Sequence, residues 1–157
     1  MEELNMFYYR LESKATDIVN NIYAIYSPSW GWYNGHFHKN KNGEWERENF
    51  PIPVITLKGL CDIEIGINRI TLSTKLSRST ALEYQYEKIK NIAFEAYGVE
   101  NYLLDFYTSD MRFDDFYNNI LMSDEKEIGF SFIFDFDESV NNIKDVLHFI
   151  KQEGFYY

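Results

Sequence analysis

Val54-Ile-Thr-Leu-Lys-Gly-Leu-Cys61-Asp-Ile-Glu-Ile-Gly-Ile-Asn-Arg-Ile70-Thr-Leu-Ser-Thr-Lys-Leu76 is the stretch on which the fold turns. Cys61, Ile63, Ile65 and Ile67 alternate with Asp62, Glu64, Gly66 and Asn68. Ile70, Leu72, Thr74 and Leu76 alternate with Thr71, Ser73 and Lys75. A period of two is the signature of a strand. Turns at Lys58-Gly59 and Asn68-Arg69 divide the stretch into strands at Val54–Lys58, Cys61–Ile67 and Ile70–Leu76. Connections this short join antiparallel neighbours, because a parallel crossover needs a dozen or more residues. One polar face predicts an antiparallel meander that is wet on one side.

Upstream, Phe50-Pro51-Ile52-Pro53 leads into the meander in an extended form. Tyr33–Lys39 and Glu44–Asn49 flank Lys41-Asn42-Gly43, a hairpin signal. Residues 28–35, Pro-Ser-Trp-Gly-Trp-Tyr-Asn-Gly, read as a loop. Before it, Leu4, Phe7, Leu11, Ala15, Ile18, Ile22 and Ile25 recur every three or four residues, which predicts a helix over 3–26. Ser27-Pro28 ends it, since the residue before proline avoids the helical region.

Downstream, Thr80-Ala-Leu-Glu83 has the capping-box pattern. Leu82, Tyr86, Ile89, Ala93 and Ala96 form a helical stripe that Gly98 can stop. Tyr102–Tyr107 reads as a strand. Asp110 can cap a short helix that presents Phe113, Phe116, Tyr117, Ile120 and Leu121. Ile128–Phe136 is a strand with Phe130, Phe132, Phe134 and Phe136 on one face. Asp137 or Ser139 can cap a last helix that turns Val140, Ile143, Leu147 and Ile150 inward. The expected fold is a single α+β domain over 1–157. A mainly antiparallel sheet of five to seven strands carries a long N-terminal helix and three later helices on one face.

The 157 residues hold 15 Lys+Arg and 25 Asp+Glu, a formal net charge of −10. Residues 1–78 are neutral, with nine acids and nine bases. Nine of the ten net negative charges fall within residues 99–140, where eleven acids meet two bases. Phosphate-driven binding to nucleic acid needs a basic face, so no nucleic-acid partner is expected. Adsorption to an anionic membrane is disfavoured for the same reason. No run approaches the roughly 18 apolar residues of a membrane span, and the opening Met-Glu-Glu, without a basic region and an apolar run, leads us to expect no secretory leader. Cys61 is the single cysteine, so no intramolecular disulfide can form. The expected location is the reducing cytoplasm.

Four constellations bear on function. The acidic tract interleaves Asp110, Asp114, Asp115, Asp124 and Glu125 with aromatics such as Tyr117. Charge speeds association and aromatics anchor it, so a basic protein partner is the leading expectation. An inhibitor or immunity-type protein has this size and charge. The runner-up is an aromatic-lined small-molecule pocket, with Trp30, Trp32 and Tyr33 as ligand-binding candidates.

Third, His36 and His38 share a strand face and can meet one metal ion in a metal-dependent enzyme. The register decides their company. A two-residue Asn42-Gly43 turn pairs Lys39 with Glu46 and Lys41 with Glu44, and leaves the histidines opposite Arg47 and Asn49. A three-residue loop brings His38 to Glu46 and His36 to Glu48. The first agrees better with its own turn chemistry and cross-strand charges. Fourth, Asp135-Phe-Asp137-Glu-Ser139 resembles the first motif of haloacid dehalogenase-type phosphatases. In that family the two aspartates would be nucleophile and general acid/base. The likeness covers five residues and ends in Ser. Only 18 residues follow Ser139, too few for the family's downstream Lys and metal-binding acids. The motif therefore reads as a helix cap. No catalytic residue and no cofactor are expected, and the open edges of the sheet leave a homodimer open.

Overall fold

The computed structural model describes residues 2–34, 38–39, 44–46, 50–77, 79–80, 94–97 and 126–157. Helix α1 (Glu2–Tyr26) is followed by strands β1 (Ser29–Tyr33), β2 (His38–Lys39), β3 (Trp45–Glu46), β4 (Ile52–Leu57), β5 (Cys61–Ile65) and β6 (Arg69–Ser77). Strands β7 (Phe94–Tyr97) and β8 (Glu127–Asp135) and helix α2 (Val140–Gln152) complete the described elements. Six strands form one sheet in the order β1-β4-β5-β6-β8-β7, and β2 and β3 form a separate ribbon. Every pairing is antiparallel. The protein is therefore α+β, with a long N-terminal helix on an antiparallel sheet.

The meander forms where the alternation places it. Ile55 pairs with Ile63, Ile63 with Leu72 and Leu72 with Phe132, so one apolar row crosses four strands. Both described helices cover this face. Leu11, Ala15, Ile18 and Ile22 of α1 and Ile143, Leu147 and Ile150 of α2 are fully buried in the same core. Pro53 sits in β4 without a ladder conflict, because pairing to β5 starts at Val54 and a proline tolerates a position with one neighbour.

The ends of α1 and α2 follow local chemistry. Ser27 takes φ +47°, with its amide still on the carbonyl of Tyr23 at 3.2 Å, and Pro28 then forbids another helical bond. Ser139, not Asp137, caps α2 by accepting from the amide of Asn141 at 3.2 Å. At the far end Gly154 (φ +87°) closes a Schellman motif. The amide of Phe155 bonds to Ile150 at 2.9 Å and that of Gly154 to Lys151 at 3.4 Å.

Several expectations are corrected. The polar side of the meander is covered, not wet: Glu64, Thr71, Ser73 and Ser131 are 2–6% exposed. Small hydroxyl residues at these positions suit a covered face better than a solvated one. Residues 29–33 are an edge strand rather than loop. Ser29 to Tyr33 pair in register with Thr56 to Ile52, so the ladder of β4 outweighs the turn-like composition. The helical stripe drawn through Ala96 stops short, because Phe94–Tyr97 pairs with Gly129–Phe132 of β8. There the sheet edge overrides local periodicity. The cap before that stripe also moves. Thr80 donates its amide to Ser77 Oγ at 3.2 Å, which makes Ser77 the capping residue, and 79–80 are helical. The predicted strand Tyr102–Tyr107 and the helix begun by Asp110 lie outside the described residues.

Candidate functional site

Trp30, Trp32 and Tyr33 do not converge. On β1, Trp30 and Trp32 point to the α1 side of the sheet, and Tyr33 to the other side. Edge-to-face contacts join Trp30 to Trp32 (5.9 Å between centroids), Trp32 to Tyr8 (5.5 Å), Tyr8 to Phe7 (5.4 Å) and Phe7 to Phe50 (5.0 Å). The tryptophans thus continue the packing between α1 and the sheet edge. Tyr33 folds its ring back over Gly31, where a Cβ would lie 2.9 Å from the ring.

The β2–β3 ribbon takes the second register. His38 pairs with Glu46 and Lys39 with Trp45. The expected Lys39–Glu46 pairing is therefore corrected, and the turn at 41–43 lies outside the described residues. His36 and Glu48 lie outside the described residues. Among the described residues no group of three or more His, Cys, Asp or Glu side chains is placed to hold a metal ion. Asp110, Asp114, Asp115, Tyr117, Asp124 and Glu125 also lie outside the described residues.

Cys61 is fully buried. Burial pushes its thiol far up, with the charge of Asp62 as a smaller cause. The protonated thiol packs as a hydrophobe. His148 stands at the junction of the two helices, with Nδ1 at 3.3 Å from the Tyr26 hydroxyl. Asp135 ends β8 and Ser139 caps α2, as the cap reading of that segment has it.

The site that sequence reasoning missed lies on the solvent side of α1. Met6, Tyr9, Arg10, Ser13, Lys14 and Asp17 line an open groove of about 730 Å³ with Phe7 and Phe136. These helix positions recur at spacings of three and four, so they form a second stripe beside the buried one. Phe136, in the turn after β8, supplies the apolar floor. The Arg10 guanidinium lies 3.8 Å above its ring centroid, and Lys14 Nζ lies 5.9 Å from it. Each cation is fixed by a main-chain carbonyl. Arg10 donates to Ile67 at 3.0 Å and Lys14 to Glu138 at 2.9 Å. Neither is paired with a carboxylate among the described residues. A carbonyl holds a cation without cancelling its charge, so Arg10 and Lys14 keep theirs, beside Asp17 at the end of the groove, in a chain of net charge −10. Met6 and Tyr9, both 72% exposed, form its apolar end.

The fold defines the class: an α+β protein whose six-stranded antiparallel sheet carries its two described helices on one face. A conserved hypothetical protein from Pyrococcus furiosus is similar over 97% of this chain and 95% of its own, at 17% identity and a TM-score of 0.69. That likeness is one of fold. No family model and no curated protein matches the chain. No helix among the described residues is long and apolar enough to cross a membrane.

Proposed function

We propose that this chain is a non-catalytic binding protein that holds a small apolar ligand in the groove between α1 and Phe136. The groove itself carries the reading. Its volume lies in the range of small-molecule sites, and a few polar groups stand among mostly apolar walls. The ligand site of the sequence reading moves from Trp30, Trp32 and Tyr33 to the neighbouring helix. Methyl-labelled methionine NMR tests it, since Met6 lines the groove. Titration with ten-carbon alcohols and acids is expected to move the Met6 methyl signal saturably. A signal that stays still with every compound overturns the reading.

A second reading is favoured by the charge distribution. The excess of acids over bases in residues 99–140 supports a basic protein partner, bound through Asp110, Asp114, Asp115, Tyr117, Asp124 and Glu125. A pull-down at low salt should recover a basic protein. Neutralising Asp114, Asp115, Asp124 and Glu125 should release it, and unchanged binding would sink the idea. Cys61, single and unpaired by any disulfide, supports a reducing, cytoplasmic setting. A metal held by His36 and His38 is the third reading, supported by the His38–Glu46 register. A melting temperature unmoved by zinc would end it.

A further inference from the structure

We propose that the occupant of the α1 groove is a monoanionic amphiphile, a single carboxylate on an apolar body. This rests on the small-ligand reading above and adds the chemical class. Arg10 and Lys14 are four residues apart on one helix face. Like charges at that spacing repel each other, and the hydrogen bonds of both go to main-chain carbonyls rather than to a carboxylate among the described residues. The guanidinium fork spends one nitrogen on Ile67 and keeps further N–H donors. Stacking on Phe136 holds its plane and keeps water from one side. An anion placed there meets two cations above an apolar floor, where charge-assisted hydrogen bonds are strong.

The groove is polarised along the helix. Met6, Phe7 and Tyr9 form one end, Arg10 and Lys14 the middle, and Asp17 the other end. At about 1.5 Å per residue, the apolar end lies roughly 12 Å from Lys14. A ligand with its charge at one end and an apolar body running toward Met6 matches this order. Asp17 sets the charge number, because its carboxylate repels a second negative charge on the ligand. A dianionic phosphate is disfavoured on that ground. Met6 suits an apolar body of variable shape, since its unbranched thioether adapts to its neighbour.

The test titrates decanoate, decanol and decyl phosphate, each below its micelle concentration, against the full chain while following the Met6 methyl signal. Decanoate is expected to bind at least ten-fold tighter than decanol and tighter than decyl phosphate. In the double variant Arg10→Met/Lys14→Met the advantage of decanoate over decanol should vanish, and a ten-fold preference that survives overturns the role of the two cations. Because both cations also hold main-chain carbonyls, Asp17→Asn serves as a second variant that leaves them in place. It should tighten decyl phosphate more than decanoate. Equal affinity for decanol and decanoate overturns the anionic class and leaves the small-ligand reading standing. A still Met6 signal with all three removes both. Decyl phosphate binding tightest, or an acidic amphipathic peptide displacing decanoate at lower concentration, overturns the assignment of a single carboxylate.

Discussion

The backbone of Tyr156 pairs with that of Lys75 in both directions, with its carbonyl 2.7 Å from the Lys75 amide and its amide 2.9 Å from the Lys75 carbonyl. This bridge takes over beside β6 where β5 gives out, since β5 pairs only with Ile70 to Ser73. Thr74 Oγ1 strengthens the join by donating to Leu60 at 2.7 Å, and it also meets the Tyr156 carbonyl at 3.1 Å. The bridge drives Phe155 into the core, 4% exposed, with its ring edge-on to Phe130 at 5.4 Å and Phe132 at 6.0 Å. Phe155→Ala should therefore cost about 3–5 kcal/mol. Urea denaturation followed by circular dichroism checks this, and a midpoint equal to the wild type would refute it.

Tyr156 also donates its hydroxyl to Glu127 Oε2 at 2.5 Å. That bond, with desolvation and the charge of Glu127 behind it, pushes the phenol up to about 12 from its ordinary 10. In the folded chain the proton stays on where the unfolded chain releases it. The contribution to stability is full below pH 10 and is lost as pH rises from 10 to 12. A carbon-labelled tyrosine titration should find one phenol near 12. Glu127→Ala should return it toward 10.

Ser27 occupies the left-handed region at a cost that glycine does not carry. Ser27→Gly should stabilise the protein by about 1 kcal/mol, read as a raised urea midpoint. The opposite sign would show that the serine side chain matters more than its backbone.

Ser139 satisfies an otherwise orphaned amide at the start of α2. Ser139→Ala should lose about 1 kcal/mol, whereas Ser139→Asp should hold the wild-type midpoint. A wild-type midpoint in Ser139→Ala would mean that the cap contributes nothing.

The Cys61 thiol is raised by burial and is closed off from solvent. A thiol reagent at pH 8 should label the native chain only through opening of the core. Adding urea should raise the labelling rate in step with unfolding. Fast labelling without denaturant would contradict the position of Cys61 between Leu57 and the interior of the sheet.

The parts legible in the sequence are those whose signal is local. Residues 54–76 and 128–136 alternate cleanly, and the strands lie there. The stripe from Phe7 to Ile22 fixed α1 because its period matches a helix over many turns. Ser29–Tyr33 was hidden by Pro28, Gly31 and Asn34, which mark turns unless a neighbouring strand supplies a ladder. Phe94–Tyr97 was hidden by Ala93 and Ala96, which fit a helical face equally well. The groove was illegible for another reason. Its floor, Phe136, and the carbonyl that holds Lys14 are set by pairing across the whole fold, with Glu138 lying 124 residues from Lys14. No pattern in α1 alone reports on them.

The bridge between β6 and Tyr156 also sets a schedule for synthesis. Thr74 meets Tyr156 across 82 residues of chain. At roughly 5–20 residues per second the ribosome needs about 4–16 s to deliver that partner. Through this interval the stretch of β6 beyond β5 has an unfilled side, and Phe130 and Phe132, which pack on Phe155, are themselves made only near its end. The last strand contact of β6 is therefore completed only when the tail arrives.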